Sequence, residues 1–203
     1  MKIVIVDYGM GNIKSLVSTL QYLGADDVLL SSEYDILKSA DKIILPGVGS
    51  FAKAMSQIKQ KKLDVSLQDI IVKHKKPLLG ICLGMQLLGR SSSEDGQNAG
   101  LGFVKGDVVK FDNSNLKVPH VGFNQVKINS NLKLYAGFSN AVDFYFTHSY
   151  KMVTDEVINQ SYCDYGGDFV ASFETGHIAG VQFHPELSQH NGLNLFRNFI
   201  DRF

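Results

Sequence analysis

The chain has 203 residues, 44% of them hydrophobic and 20% charged, which is typical of a globular domain with a substantial core. Lys plus Arg and Asp plus Glu are equal at 20 each, so the charge gives no reason to expect nucleic acid or a membrane surface as a partner. Two cysteines without CxxC spacing exclude a disulfide framework and a zinc site, and the absence of a long apolar run predicts a cytoplasmic protein with no membrane segment.

The first half of the chain predicts alternating strands and helices. Helical patterns occur at residues 13–23, at residues 51–74 and from Gly84 onward. Short apolar runs between them predict strands at Lys2–Val6, Asp27–Leu30, Lys42–Leu45 and Pro77–Ile81. Apolar strands that alternate with helices are typical of a parallel sheet covered on both faces, so we expect an α/β fold.

The second half is richer in strands and ends in one helix. The predicted helix covers Gly192–Ile200, where apolar residues recur along one face. The predicted strands are Phe103–Phe111, Phe123–Ile128, Val142–Tyr150, Val157–Tyr162, Phe169–Phe173 and Ile178–Phe183. No linker or repeat separates the two halves, so we expect a single domain over residues 1–203 with a β-rich meander in its second half.

The most specific local pattern is Gly80-Ile81-Cys82-Leu83-Gly84, which follows a predicted strand and precedes a predicted helix. This is the nucleophile-elbow pattern with cysteine in place of serine. Glycines two residues before and after the nucleophile relieve the crowding of so tight a turn and leave the sulfur exposed. The helix N-terminus favours the thiolate, and the N–H of Leu83 can serve as an oxyanion donor. A buried structural cysteine in a glycine-rich turn is the alternative.

A thiolate needs a basic partner and a group that orients this partner. His184 ends an apolar strand and is followed by Pro185 and Glu186. Proline keeps the preceding residue extended, and in an extended chain residues two apart face the same way, so Glu186 can reach the His184 ring. An edge-strand histidine beside a chance glutamate is the alternative interpretation.

The loop Pro46-Gly47-Val48-Gly49-Ser50 also follows a strand of the predicted parallel half. Loops at the carboxyl ends of parallel strands build the sites of α/β sheets. The N–H of Val48 or Gly49 could therefore face a developing oxyanion, although an ordinary glycine turn fits these five residues equally well.

Three motifs, GICLGMQL at Gly80–Leu87, GVQFHPE at Gly180–Glu186 and PGVGSF at Pro46–Phe51, resemble the class I glutamine amidotransferases. Within that class the chain is similar to the glutaminase subunits of imidazole glycerol phosphate synthases. That similarity rests on DYGMGN at Asp7–Asn12, VPHVGFNQV at Val118–Val126, FYFTHSY at Phe144–Tyr150 and GLG at Gly100–Gly102, and the matches run along essentially the whole chain. The resemblance implies a flavodoxin-like fold with a mostly parallel central sheet flanked by helices.

The resemblance also implies roles for individual residues. Cys82 would form a γ-glutamyl thioester, with His184 as base and acid and Glu186 as its orienter. Val48 and Gly49 would belong to an oxyanion strand, with Leu83 as the second donor. The L-glutamine substrate would be held by Gln86, Ser149 and Tyr150. His148 would be structural, and no cofactor or metal is implied.

The product of a glutaminase is ammonia, which must reach its acceptor unprotonated. Because the resemblance to the glutaminase module covers the whole chain, the acceptor site is expected on another chain. The resemblance implies a (β/α)₈-barrel cyclase in a heterodimer that serves histidine biosynthesis. Asn12, Phe123, Tyr145 and Leu187 would lie near that partner. Phe123 and Leu187 stand where the family usually has tryptophan and lysine.

These departures leave a paralogous barrel of amidino-sugar biosynthesis as a second possible partner. Two further functions fit parts of the sequence. One is a cysteine hydrolase or peptidase of the related flavodoxin-like proteins, and the other is a non-enzymatic regulatory subunit.

Overall fold

The computed structural model describes residues 1–111, 116–156 and 158–203. The helices are α1 (Ile13–Tyr22), α2 (Tyr34–Ser39), α3 (Phe51–Gln60), α4 (Leu63–Leu67), α5 (Leu83–Leu87) and α6 (Gln189–Arg202), with a π-helix at Gln68–Lys73 and 3₁₀ helices at Lys133–Tyr135 and Pro185–Leu187. The strands are β1 (Lys2–Val6), β2 (Asp27–Ser31), β3 (Lys42–Leu45), β4 (Leu78–Ile81), β5 (Ser91–Ser92), β6 (Asn98–Ala99), β7 (Gly106–Lys110), β8 (His120–Lys127), β9 (Ala141–His148), β10 (Tyr150–Thr154), β11 (Asn159–Asp164), β12 (Asp168–Thr175) and β13 (Ile178–Val181).

Nine of these strands form one mixed sheet in the order β2-β1-β3-β4-β13-β12-β11-β8-β9. The first five are parallel to one another, and the remaining neighbours pair antiparallel. A 2-1-3-4-5 order of parallel strands is the flavodoxin-like arrangement, whose ligands bind beyond the carboxyl ends of the strands. The expected α/β fold is confirmed, and the antiparallel strands extend the same sheet.

A smaller sheet of four strands, β10-β7-β5-β6, stands beside the first. The chain passes from the large sheet to the small one at Ser149, between the end of β9 at His148 and the start of β10 at Tyr150. The strand predicted at Val142–Tyr150 corresponds to β9 and runs two residues too far, into the first residue of β10; the rest of β10 was not predicted. Ser149 and Tyr150 lie at the junction of the sheets.

The parallel strands separate two hydrophobic clusters. Ile3 and Ile5 of β1 point to the side covered by α1 and α6, whereas Val4 and Val6 point to the side covered by α2, α3 and α4. Successive side chains of a strand face opposite sides of the sheet, and here both sides are buried. That double burial explains why these strands are continuous apolar runs in the sequence.

The bounds of several elements differ from the sequence prediction. The helical pattern over residues 51–74 is divided into α3, α4 and the π-helix, and the last helix begins three residues before its predicted start. The strand predicted at Val157–Tyr162 is β11, which begins at Asn159, while Val157 lies outside the described residues. The helix α2 and the two-residue strands β5 and β6 were not predicted. None of the helices in the described part of the chain has the length and apolar character needed to cross a membrane.

Candidate active site

Cys82 occupies a sharp turn between β4 and α5. Its backbone has φ 52° and ψ −111°, a conformation that non-glycine residues rarely adopt and that is found mainly at functional sites. The N–H of Cys82 donates to the carbonyl of Val181 at 2.8 Å, which anchors the turn to β13. A side chain at Gly84 would collide with the carbonyl of Leu45, and a Cβ at Gly80 would lie 2.9 Å from the backbone of Met85. Both glycines are thus required by the close approach of neighbouring backbone, as a nucleophile elbow demands.

Two strand ends bring His184 beside this turn. His184 follows β13, is buried, and its N–H donates to the carbonyl of Tyr145 on β9 at 2.8 Å. Nδ1 of His184 lies 2.8 Å from Oε1 of Glu186. His184 is extended as predicted, but Glu186 reaches the ring through the 3₁₀ turn at Pro185–Leu187 and not through an extended chain. The expected pair therefore forms by a different local geometry.

The electrostatic surroundings favour a charged imidazole at His184. Burial alone lowers the pKa of His184, but the nearby Cys82 sulfur and the hydrogen-bonded Glu186 carboxylate outweigh burial and raise the pKa to about 10. Nε2 of His184 and Oε2 of Glu186 are buried and make no hydrogen bond to any described residue. Buried polar atoms without partners are rare in folded proteins, and two in one ion pair indicate a site prepared for further contacts.

The loop Pro46–Phe51 is held at both ends and exposed in its middle. The hydroxyl of Tyr8 donates to the carbonyl of Pro46 at 2.6 Å, and burial raises the pKa of this hydroxyl, which keeps it a donor. At the other end the N–H of Phe51 donates to Oε2 of Glu94 at 2.7 Å. Between these anchors Val48 is 40% exposed and Gly49 has φ +97°, a value suited to glycine.

A cavity of about 250 Å³ lies above Cys82. Its walls include every residue predicted for the oxyanion site and for the substrate, together with Cys82 and His184. Those predicted residues are Val48, Gly49, Leu83, Gln86, Ser149 and Tyr150. The sulfur of Cys82 lies 3.8 Å from the carbonyl oxygen of Thr147 at the floor of this cavity. The structure thus collects widely separated segments of the chain around one sulfur atom.

Four residues at or beside the cavity were not predicted. Glu94, Pro119 and Thr147 line it, and Gln182 contacts the sulfur of Cys82 from below, with Nε2 3.7 Å from Sγ. Gln182 stands inside the GVQFHPE motif, so the motif itself carried a signal. Glu94 lies in a polar loop before Gly96 that has no recognisable pattern.

His148 also lines the cavity, but its ring is used within the protein. Its Nδ1 lies 2.8 Å from the carbonyl oxygen of Tyr150, and its Nε2 lies 3.1 Å from Nδ1 of His120. Burial lowers the pKa of His148 to about 3 and that of His120 to about 4, so both rings are neutral near neutral pH. This arrangement supports the structural role expected for His148.

The residues expected near a partner are exposed or half-buried. Phe123 on β8 faces Tyr145 on β9, with ring centroids 5.5 Å apart. Phe123 is 51% exposed and Leu187 is 39% exposed. Asn12 precedes α1, which packs beside the 3₁₀ helix that contains Leu187, and its side-chain oxygen accepts from the Ser15 hydroxyl at 3.1 Å.

Comparison with known proteins adds relatives of full length. A family profile described as "Glutamine amidotransferase class-I" matches residues 4–203. The chain is 43% identical over 199 residues to "Imidazole glycerol phosphate synthase subunit HisH 1" of Campylobacter jejuni, which covers 98% of each chain. It is 40% identical over 200 residues to "Imidazole glycerol phosphate synthase subunit HisH" of Aquifex aeolicus, covering 98% of this chain and 96% of that protein. A solved structure, "a putative gmp synthase subunit a protein" from Thermoplasma acidophilum, is 24% identical, with a TM-score of 0.75 over 98% of this chain and 92% of that one. That likeness shows a shared fold.

Proposed function

The chain belongs to the class I glutamine amidotransferases, within the family of the imidazole glycerol phosphate synthase subunit HisH, and on this premise we propose its reaction. It hydrolyses L-glutamine to glutamate and ammonia as the glutaminase subunit of that synthase, in histidine biosynthesis. The observation that carries the proposal is the convergence of Cys82, the His184–Glu186 pair and the Pro46–Phe51 loop on one cavity. The unit is one domain over residues 1–203 that works in the cytoplasm without cofactor or metal.

The geometry supports a thioester mechanism. The thiolate of Cys82 attacks the carboxamide carbon of glutamine, and a C–S bond forms as the carbonyl becomes an oxyanion. The N–H of Leu83 and an N–H of the Val48–Gly49 segment stabilise this oxyanion. Protonated His184 donates its Nε2 proton to the departing nitrogen, and the C–N bond breaks to release ammonia. Neutral His184 then accepts a proton from the water that hydrolyses the thioester, while Glu186 holds Nδ1 throughout.

Substrate recognition follows from the groups at the cavity wall. Both donors of the Gln86 amide are used within the protein, by the carbonyl of Tyr150 at 3.0 Å and by Oε1 of Gln182 at 2.9 Å. The carbonyl oxygen of Gln86 is therefore the group that can accept from the substrate. Glu94 supplies a carboxylate at the same cavity, which complements the α-ammonium of glutamine. Ser149 and Tyr150 complete the wall.

The ammonia acceptor is a (β/α)₈-barrel cyclase that forms a heterodimer with this chain. The exposed Phe123 ring and the half-buried Tyr145 ring lie on neighbouring strands that reach the catalytic centre, because the Tyr145 carbonyl accepts from the N–H of His184. A partner seated on that surface would therefore stand close to the point of ammonia release. Apolar and aromatic residues are favoured at the centre of such interfaces.

The test uses the full chain together with the histidine-pathway cyclase. We expect Cys82→Ala to lower glutamine-dependent synthesis by at least about 10⁴-fold, because the covalent step is lost, and to leave synthesis from ammonium salts unchanged. Cys163→Ala is the matched control, since Cys163 is buried and burial raises the pKa of its thiol to about 12. A glutamine-analogue electrophile should label Cys82 and not Cys163 in peptide mapping.

Labelling of Cys163 alone, or loss of ammonia-dependent synthesis in Cys82→Ala, would contradict the proposal. Peptide cleavage without glutamate release would favour a peptidase.

The residues Phe123 and Leu187, which differ from the usual tryptophan and lysine, favour one second candidate. This candidate is a paralogous subunit that supplies ammonia to a barrel enzyme of amidino-sugar biosynthesis. Both residues are exposed on the docking surface, where the histidine-pathway relatives usually carry tryptophan and lysine. Measuring which of the two barrels activates glutamine hydrolysis separates the candidates.

A further inference from the structure

Within the GVQFHPE motif, Gln182 is a residue outside the proposed catalytic triad whose side chain contacts the sulfur of Cys82. It is fully buried, and it follows β13 in register with Cys82, since Val181 pairs with Ile81 one residue earlier. Residues paired across parallel strands place their side chains on the same side of the sheet. The amide of Gln182 is thereby brought to 3.7 Å from the sulfur of Cys82.

The neighbouring hydrogen bonds decide which end of that amide faces the sulfur. The carbonyl of Tyr150 can only accept hydrogen bonds. It accepts one from Nε2 of Gln86 at 3.0 Å and one from Nδ1 of His148 at 2.8 Å. The amide nitrogen of Gln86 must therefore point at Tyr150, and its second hydrogen goes to Oε1 of Gln182 at 2.9 Å. With its oxygen held there, Gln182 can only turn its NH₂ group toward Cys82.

The two polar contacts of the sulfur favour opposite protonation states. The carbonyl of Thr147, 3.8 Å away, can accept a proton from the thiol but repels a thiolate. The NH₂ group of Gln182 donates, and hydrogen bonds to an anion are stronger than those to a neutral group. A fully buried donor next to the sulfur is not screened by water, so its effect on the anion is retained.

We propose that Gln182 is a further catalytic residue of this chain, whose side-chain amide donates to the Cys82 sulfur and stabilises the thiolate that attacks glutamine. Gln86 and the Tyr150 carbonyl act as positioning groups because they fix the orientation of that amide. The inference rests on the proposed function and deepens it. It adds a donor to the thiolate–imidazolium pair, and this hydrogen bond is stronger to the anionic sulfur than to the neutral thiol.

The experiment measures the rate of Cys82 alkylation by iodoacetamide from pH 4 to pH 10 in the full chain. Gln182→Met keeps the length of the side chain but removes the donor. We expect the midpoint of the profile to move upward by about one pH unit, about a tenfold loss of rate on the acidic limb, with the alkaline plateau unchanged. Gln68→Met, an exposed residue of the π-helix, is the matched control and should keep the original profile.

Gln182→Glu is the second variant, should the first unfold. It retains an acceptor for Gln86 and replaces the donor with a carboxylate, so its midpoint should lie above that of the original chain. Circular dichroism and thermal unfolding confirm that each variant is folded. In the unmutated chain, the NMR signals of the Gln182 amide protons should titrate with the midpoint of Cys82 alkylation, and Cys82→Ser should abolish that titration.

A folded Gln182 variant with an unshifted or lowered midpoint, or amide protons that do not respond to Cys82, would overturn the role of Gln182. Neither result depends on glutamine turnover. The proposed function fails if the unmutated chain with its cyclase does not release glutamate, a result that no Gln182 variant affects, so the two failures are distinguishable.

Discussion

The two halves of the large sheet expose their side chains in different ways. Strands β3, β4 and β13 of the parallel half are buried at every residue. Strands β8 and β9 of the antiparallel half alternate, with one face buried and the other open to solvent. Cys82 and His184 stand at the ends of the buried strands, whereas the exposed ring of Phe123 and the half-buried ring of Tyr145 stand on the alternating ones.

This difference separates positions whose residue type is fixed by packing from positions where the side chain can change. Around Cys82, backbone approaches backbone so closely that Gly84 cannot be exchanged without moving β3. The open face of β8 and β9 has no such constraint, and a side chain there can change while the opposite face keeps the core intact. An unchanged proposed catalytic centre beside a proposed docking surface that carries phenylalanine at position 123 is what such a division permits.

The largest expected effect lies in the buried half. Glu186→Gln should slow glutamine hydrolysis roughly 100-fold and leave ammonia-dependent synthesis unchanged. The reason is that His184 loses the negative charge that orients its ring and stabilises the protonated form. The raised pKa of His184 stabilises the fold fully below pH 6.5, and this stabilisation is lost as pH rises toward about 10. Without the Glu186 charge this stabilisation should be smaller, and its loss, which still begins near pH 6.5, should be complete at a lower pH. Thermal unfolding measured against pH will check this. An unchanged pH profile would contradict the coupling of the two residues.

Substitutions on the solvent-exposed face of β8 and β9 should change only the affinity for the cyclase. Phe123→Asp should raise the Kd for the cyclase roughly 30-fold, because an apolar ring on the docking surface is replaced by a charge. The rate and pH profile of Cys82 alkylation should remain as they are. Leu30→Asp is the matched control, since Leu30 is 46% exposed on β2, at the opposite edge of the sheet. Equal weakening by both variants would remove the docking role from β8 and β9.

The smallest effect concerns a second buried carboxylate that has no part in the chemistry. Glu174 on β12 accepts the backbone N–H groups of Lys133 and Leu134 at 3.0 and 2.7 Å. Glu174→Gln should lower the free energy of unfolding by about 1–2 kcal/mol, because an amide cannot accept both donors as well, and denaturant titration will measure it. Glutamine turnover should stay unchanged, in contrast to Glu186→Gln. A loss of turnover here would show that burial alone, and not position, accounts for the Glu186 effect.

The sequence predicted those parts of the site whose physical demands are local. Gly80 and Gly84 around Cys82 indicated the elbow because the crowding that requires them lies within five residues. The strands of the parallel half were predicted nearly to the residue, since burial on both faces leaves an unbroken apolar run. His184 and Glu186 were paired correctly, although a 3₁₀ turn brings them together.

What the sequence did not predict depends on contacts between distant residues. Gln182 is 100 positions from Cys82 and 96 from Gln86, and no local pattern encodes such a contact. The strands β5 and β6 have two residues each, too few to show a period. The strand β10 was also not predicted beyond its first residue, Tyr150, because its place depends on pairing with the distant strand β7.

The contact between Gly84 and β3 has a further consequence for how the site keeps its size. A Cβ at Gly47 would lie 3.0 Å from the backbone nitrogen of Gly84, and a Cβ at Gly84 would strike the carbonyl of Leu45. The start of α5 therefore rests on the end of β3 with no side chain between them. The distance between the Cys82 turn and the Pro46–Phe51 loop is therefore set by direct contact between two backbone segments. A change of side-chain rotamer cannot alter this distance. Alanine at either glycine would push the two segments apart by the width of a methyl group and so enlarge the gap that the substrate carbonyl must bridge.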